Sequence, residues 1–149
     1  MEQISRSEQD TLELGKKIAE TLHGGDIVLL HGELGAGKTT LVKGIAQGLG
    51  IKEDITSPTF TLMNVYRIRN QEPACRTGRS GIRELVHIDT YRLNDEKELI
   101  DIGVEDYLGD QETIWLIEWP EKLHALLEDK KCMRITLYHS EEGRRIQMP

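Results

Sequence analysis

Aromatic residues make up only 5% of this 149-residue chain, cysteine occurs twice and proline four times. No apolar run approaches the roughly 18 residues that a membrane-spanning helix needs, which excludes a helical membrane protein. Cys75 and Cys132 lie far apart. Neither they nor the five histidines sit in CxxC or HxxxH spacing, so we expect no disulfide and no protein-built zinc site. The opening segment, Met1 to Asp10, is polar and lacks the apolar stretch of a secretory signal, so a cytoplasmic protein is expected. Internal repeats and low-complexity tracts are also missing. What remains, 38% hydrophobic and 30% charged residues, is the composition of an ordinary globular protein. The length fits one domain over residues 1–149, which would bury roughly 70% of its unfolded surface.

Positive charge is also in short supply: 19 Lys and Arg stand against 26 Asp and Glu, a net charge of −7. That balance argues against a protein that grips long nucleic acid unaided. The distribution is uneven. Asn94 to Asp129 holds twelve acids against two lysines, whereas Arg67 to Arg83 holds five of the ten arginines against the single acid Glu72. This basic island reads as a solvated loop, a partner-docking surface or a direct RNA contact.

Hydrophobic spacing sets out the elements. Ser7-Glu8-Gln9-Asp10 resembles a capping box, followed by a Leu14, Ile18, Leu22 stripe that predicts a helix ending at His23-Gly24-Gly25. Ile27 to Leu30 is wholly apolar, as in a strand covered on both faces. A second helix is expected from Lys38, with Leu41, Val42, Ile45, Ala46 and Leu49 buried and Gly48 and Gly50 ending it. Thr59 to Ile68 and Leu85 to Tyr91 read as strands joined by a long loop, Asn70 to Gly81. Glu96 to Leu108 predicts an irregular helix broken at Gly103. Thr113 to Glu118 predicts a buried strand stopped by Pro120, and Arg134 to Tyr138 with Arg144 to Gln147 a terminal hairpin.

Between the first buried strand and the second helix runs Gly32-Glu33-Leu34-Gly35-Ala36-Gly37-Lys38-Thr39, which is GxxxxGK[ST], the P-loop. Its glycines let successive N–H groups point inward, and the helix N-terminus adds its positive end. Glu33, Leu34, Gly35, Ala36, Gly37, Lys38, Thr39 and Thr40 are therefore the candidate phosphate-binding residues. Lys38 would reach the β- and γ-phosphates, and the Thr39 hydroxyl would ligate Mg²⁺. Such a site also needs an acid at the end of a neighbouring strand. Asp89 and Glu118 each follow an apolar strand, and the sequence does not decide which holds Mg²⁺ and which orients water. No Asn-Lys-x-Asp guanine reader exists, so ATP is the expected nucleotide. Thr56-Ser57-Pro58-Thr59 reads either as a switch that senses the γ-phosphate or as a plain strand start. Trp119 is a core or rim aromatic, or a packing lever on Glu118. Arg92 either lends positive charge to the site or pairs with Asp95 or Glu96.

Taken in order, the P-loop with Thr40, Ser57-Pro58-Thr59-Phe60, His87-Ile88-Asp89-Thr90-Tyr91-Arg92-Leu93 and Glu118-Trp119-Pro120 resemble the bacterial tRNA threonylcarbamoyladenosine biosynthesis ATPase family, TsaE or YjeE. The resemblance covers nearly the whole chain. It implies an α/β P-loop NTPase three-layer sandwich, its mixed central sheet carrying antiparallel hairpins on a parallel core. It also implies slow, Mg²⁺-dependent hydrolysis of ATP to ADP and phosphate. The chain would act beside a threonylcarbamoyl-transfer complex of TsaB and TsaD type, which modifies adenosine 37 of tRNAs reading codons that begin with A. Transfer chemistry would belong to those partners, and contact with tRNA would be indirect. By position, the resemblance gives Lys38 and Thr39 to phosphates and Mg²⁺, Glu118 to the Mg²⁺ side and Asp89 to hydrolysis. Ser57 and Thr59 fall in the first switch, Tyr91 and Arg92 in the His-x-Asp-x-Tyr-Arg motif, and Thr11 at the border of the adenine pocket. Two features depart from the family: Phe60 stands where Tyr is frequent, and the 70–81 loop is longer and more basic. A small-molecule kinase and a nucleotide-gated adaptor without significant hydrolysis are the alternatives.

Overall fold

A computed structural model describes residues 1–58, 61–68 and 81–149. Thr59, Phe60, Cys75 and most of the arginine island lie outside the described residues. The chain order is β1 (Glu2–Ser5), α1 (Glu8–Ala19), β2 (Ile27–Gly32), α2 (Lys38–Gly48), β3 (Met63–Arg67), β4 (Glu84–Asp89) and α3 (Lys97–Asp101). A 3-10 turn (Val104–Asp106), β5 (Thr113–Glu118), a second 3-10 turn (Pro120–Lys122), α4 (His124–Leu127), β6 (Cys132–Ser140) and β7 (Gly143–Gln147) complete it.

The seven strands of the described residues form one sheet in the order β1-β7-β6-β2-β5-β4-β3. The centre is parallel: β2 runs with both β5 and β6, and β4 runs with β5. Antiparallel strands close the edges, β3 on β4 at one side and β7 then β1 beyond β6 at the other. This is the expected mixed sheet, a parallel core extended by antiparallel hairpins.

Alternation along β2 shows why its run is apolar on every residue. Val28 and Leu30 enter one core with Leu14, Ile18, Leu41 and Ile45 from α1 and α2. Ile27 and Leu29 enter a second core with Leu99, Val104 and Leu126 from the short helical pieces and Leu123 between the last two. A strand buried on both faces has no room for polar alternation. The two long helices touch through glycines. A Cβ on Gly15 would lie 2.7 Å from the Gly44 Cα, and one on Gly44 only 2.4 Å from the Leu12 carbonyl oxygen.

The helix cap is as expected, with the Ser7 hydroxyl accepting from the Asp10 N–H at 3.0 Å. The helix itself ends at Ala19 rather than at His23, because the Thr21 hydroxyl and N–H both bind the Ile18 carbonyl. Leu22 still buries its side chain, just beyond the helix. Strand β1 was not expected. Its Ile4 is exposed and its inward residue is Ser5, so backbone pairing with β7 forms it and no apolar alternation announces it. Gly103, at φ 84°, breaks the 96–108 region as the sequence indicated.

Candidate functional site

Parallel register brings the candidate acids together. Asp89, the last residue of β4, lies level with Glu118, the last of β5, and Glu118 lies level with Leu30 of β2. β2 runs two residues further and then turns into the P-loop. The loop and both carboxylates therefore meet at the carboxyl edge of the sheet, where α/β folds place ligands. They line a cleft of about 470 Å³ with Thr39, Thr40, Ser57 and Tyr91.

The P-loop is built to leave donors open. Gly35 and Gly37 have φ of 77° and 100°, and space is clear where a Cβ on Gly35 would project. Gly37 is the N-cap of α2, with no side-chain cap and no acid in the first helical turn. The first amides of α2 thus keep their capacity for an anion. Glu33 and Ala36 frame the loop through the backbone, Ala36 N–H donating to Glu33 O at 3.1 Å. Leu34 is exposed at the rim.

Lys38 is buried, and its Nζ donates to the carbonyls of Gly32 at 2.6 Å and Glu33 at 2.8 Å. It also sits 4.1 Å from the Trp119 ring centroid, a cation–π arrangement. Burial pulls the amine below its ordinary value, while Glu118, Asp89 and Glu121 oppose the shift. Nearby, Thr39 Oγ1 donates to Glu118 Oε1 at 3.2 Å, and Ser57 Oγ donates to Asp89 Oδ2 at 2.9 Å. Asp89 Oδ1 accepts the Tyr91 N–H at 2.9 Å. A hydroxyl beside carboxylate oxygens is a hard-donor set suited to Mg²⁺, which keeps waters and phosphate oxygens in its other positions.

Trp119 adopts φ 58°, the left-handed region that few large side chains enter. Its neighbours hold it there. Trp119 N–H reaches Leu30 O at 3.3 Å, and the Thr90 hydroxyl donates to the Glu118 and Trp119 carbonyls. Lys122 Nζ ties down the Tyr91 and Leu93 carbonyls at 2.8 Å each. The Tyr91 and Trp119 rings meet at 5.0 Å, so the turn after β5 and the turn after β4 pack as one wall of the cleft.

Most sequence-predicted residues converge here: Leu34, Gly35, Gly37, Lys38, Thr39, Thr40, Ser57, Asp89, Tyr91, Arg92, Glu118 and Trp119 all line the cleft. Thr59 lies outside the described residues. Thr11 is not brought to the cleft. It is fully buried, its hydroxyl 2.6 Å from that of Ser5 and donating to Ser7 O.

Sequence reasoning quoted His87 only as part of a motif, with no role of its own, and did not single out Arg144. His87 is completely buried, with Nε2 2.8 Å from Glu118 Oε1. A carboxylate only accepts, so the proton is assigned to Nε2, and Nδ1 makes no hydrogen bond among the described residues. Its place two residues before Asp89 on one strand face was the available signal. Arg144 also lines the cleft, and nothing in its local sequence marks it.

A parallel α/β core whose central strand feeds a glycine loop and helix, with acids on the neighbouring strand ends, defines a protein of the P-loop NTPase fold. A family described as threonylcarbamoyl adenosine biosynthesis protein TsaE matches residues 5–146, and the chain belongs to that family. Among its relatives, the tRNA threonylcarbamoyladenosine biosynthesis protein TsaE of Streptomyces coelicolor is 42% identical over 127 residues, 83% of this chain and 76% of that protein. The Treponema pallidum protein of the same name is 40% identical over 126 residues, 85% of this chain and 83% of that one. The crystal structure of Bacillus subtilis YdiB superposes with a TM-score of 0.75 at 27% identity, covering 99% of this chain and 83% of that chain.

Proposed function

We propose that this protein binds and slowly hydrolyses ATP with Mg²⁺ in the biosynthesis of threonylcarbamoyladenosine in tRNA, as a subunit working beside the threonylcarbamoyl-transfer proteins of TsaB and TsaD type. The observation that carries this reading is the meeting of the P-loop, Lys38, Thr39, Asp89 and Glu118 in one cleft at the carboxyl edge of the parallel strands. The names of the relatives support the tRNA pathway.

In this reading the loop amides and the start of α2 hold the polyphosphate, and Lys38 leaves the Gly32 and Glu33 carbonyls to meet it. Thr39 and Glu118, already hydrogen-bonded to each other, hold Mg²⁺, which supplies neutralising charge on the phosphates when bound. Asp89 stands on the Ser57 side, and there it orients the attacking water. Catalysis is electrostatic positioning, with no covalent step on the protein.

The test is ATP hydrolysis and multiple-turnover tRNA modification by wild type, Lys38→Ala and Asp89→Asn, each with and without the transfer proteins and tRNA. Hydrolysis should rise with the partners and fall by about 100-fold or more in both variants. Modification should then stop after the first turnover. Consumption of a small metabolite regardless of partners would replace this reading with a kinase. Normal modification by Asp89→Asn would replace it with an adaptor.

A further inference from the structure

Arginines on this acidic surface are paired where strands β1 and β7 meet. Arg145 lies 3.8 Å from Glu2, and Arg6 3.8 Å from Glu142. Arg144, between them on β7, differs from both. It is half-buried and lines the cleft, and its side chain has no ion-pair or hydrogen-bond partner among the described residues. Its guanidinium lies against the P-loop instead. A Cβ on Gly37 would sit 3.0 Å from Arg144 Cδ and Nε and 3.1 Å from Cζ. Gly37 thus admits the arginine as well as the left-handed turn.

Sheet order fixes which flank of the loop Arg144 occupies. Asp89 and Glu118 come from β4 and β5, on one side of β2, whereas Arg144 comes from β7, reached through β6 on the other side. A polyphosphate lying in the loop has its terminal phosphate toward the carboxylates, Thr39 and Lys38. The opposite flank then faces the nucleoside-proximal phosphates. A half-buried guanidinium with unused donors is suited to a phosphate oxygen, which it can meet with two parallel N–H groups.

We propose that Arg144 is a nucleotide-binding residue, holding the α- and β-phosphates from the flank opposite the hydrolytic acids; this rests on the nucleotide reading above. Pairing of Ser5 with Arg144, and of His139 with Arg144, holds the arginine's backbone in place. Strand β1 is therefore part of the scaffold of the phosphate site.

Affinities for ATP and ADP, measured by calorimetry on wild type, Arg144→Ala and Arg144→Lys, test the assignment. Arg144→Ala should weaken both nucleotides by about tenfold or more and by similar factors, because both carry the α- and β-phosphates. Arg144→Lys should recover part of the loss, and the melting temperature of the nucleotide-free protein should stay near wild type. KM for ATP should rise by about the same factor as the dissociation constant. Affinities within twofold of wild type overturn the proposal while leaving ATP binding by the protein intact. If such a variant also lost stimulation by the transfer proteins, Arg144 would belong to a partner's acidic surface instead. Absence of nucleotide binding by wild type would overturn the function reading itself.

Discussion

At the scale of single residues, Glu118 is held more firmly than a surface acid at a strand exit would be. Its Oε1 accepts from Thr39 and from the buried His87 ring, which fixes the carboxylate's orientation toward the cleft. Outer partners of this kind typically tune metal affinity by about 10–100-fold. We therefore expect His87→Ala to raise the Mg²⁺ concentration for half-maximal hydrolysis by a factor in that range, with a smaller change in ATP affinity; an unchanged Mg²⁺ titration would contradict it. That Lys38, Thr39, Asp89 and Glu118 would meet in one cleft was legible in the sequence, because each is tied to a motif or to a strand end. The contact partners of His87 and Arg144 were not, because each reaches across strands: His87 meets β5 from β4, and Arg144 meets the loop from an edge strand. Spacing along the chain carries no record of that neighbour order. Thr11 shows the converse. Its hydroxyl, near the start of α1, hydrogen-bonds locally to Ser5 and Ser7, away from the phosphate cleft.

At the scale of elements, the contact between α1 and α2 sets the position of the P-loop helix. Alanine is ordinarily worth up to about 1 kcal/mol more than glycine inside a helix. Here the sign reverses, since the added methyl on Gly44 would meet the Leu12 carbonyl oxygen at 2.4 Å. Gly44→Ala is expected to destabilise the fold by about 1–3 kcal/mol, as read by urea unfolding, and Gly15→Ala to do likewise. Amphipathic spacing identified both helices, yet their glycines resemble breaks in a helix until the neighbouring helix is seen. Strand β1 was hidden for a related reason. Its residues pair by backbone with β7 and bury almost nothing apolar, so the apolar runs that revealed β2, β4 and β5 are missing.

At the scale of the whole molecule, a net charge of −7 predicts that the isolated protein retains little tRNA at about 150 mM salt. A mobility-shift titration checks this; tight binding that survives the salt would contradict it. The two faces of the sheet are covered unequally. One carries α1 and α2, of 12 and 11 residues. The other carries helical pieces of 5, 3, 3 and 4 residues. Helices so short have few internal hydrogen bonds to lose together, and they open in small groups. Deuterium should thus enter the amides of 97–106 and 120–127 well before those of α1, α2 and β2. Nucleotide should slow uptake in the 120–127 segment, which continues directly from Glu118 and Trp119. The face with long helices carries the glycine loop, and the face with short ones is where a bound nucleotide would leave its mark on exchange, if the proposed site is filled.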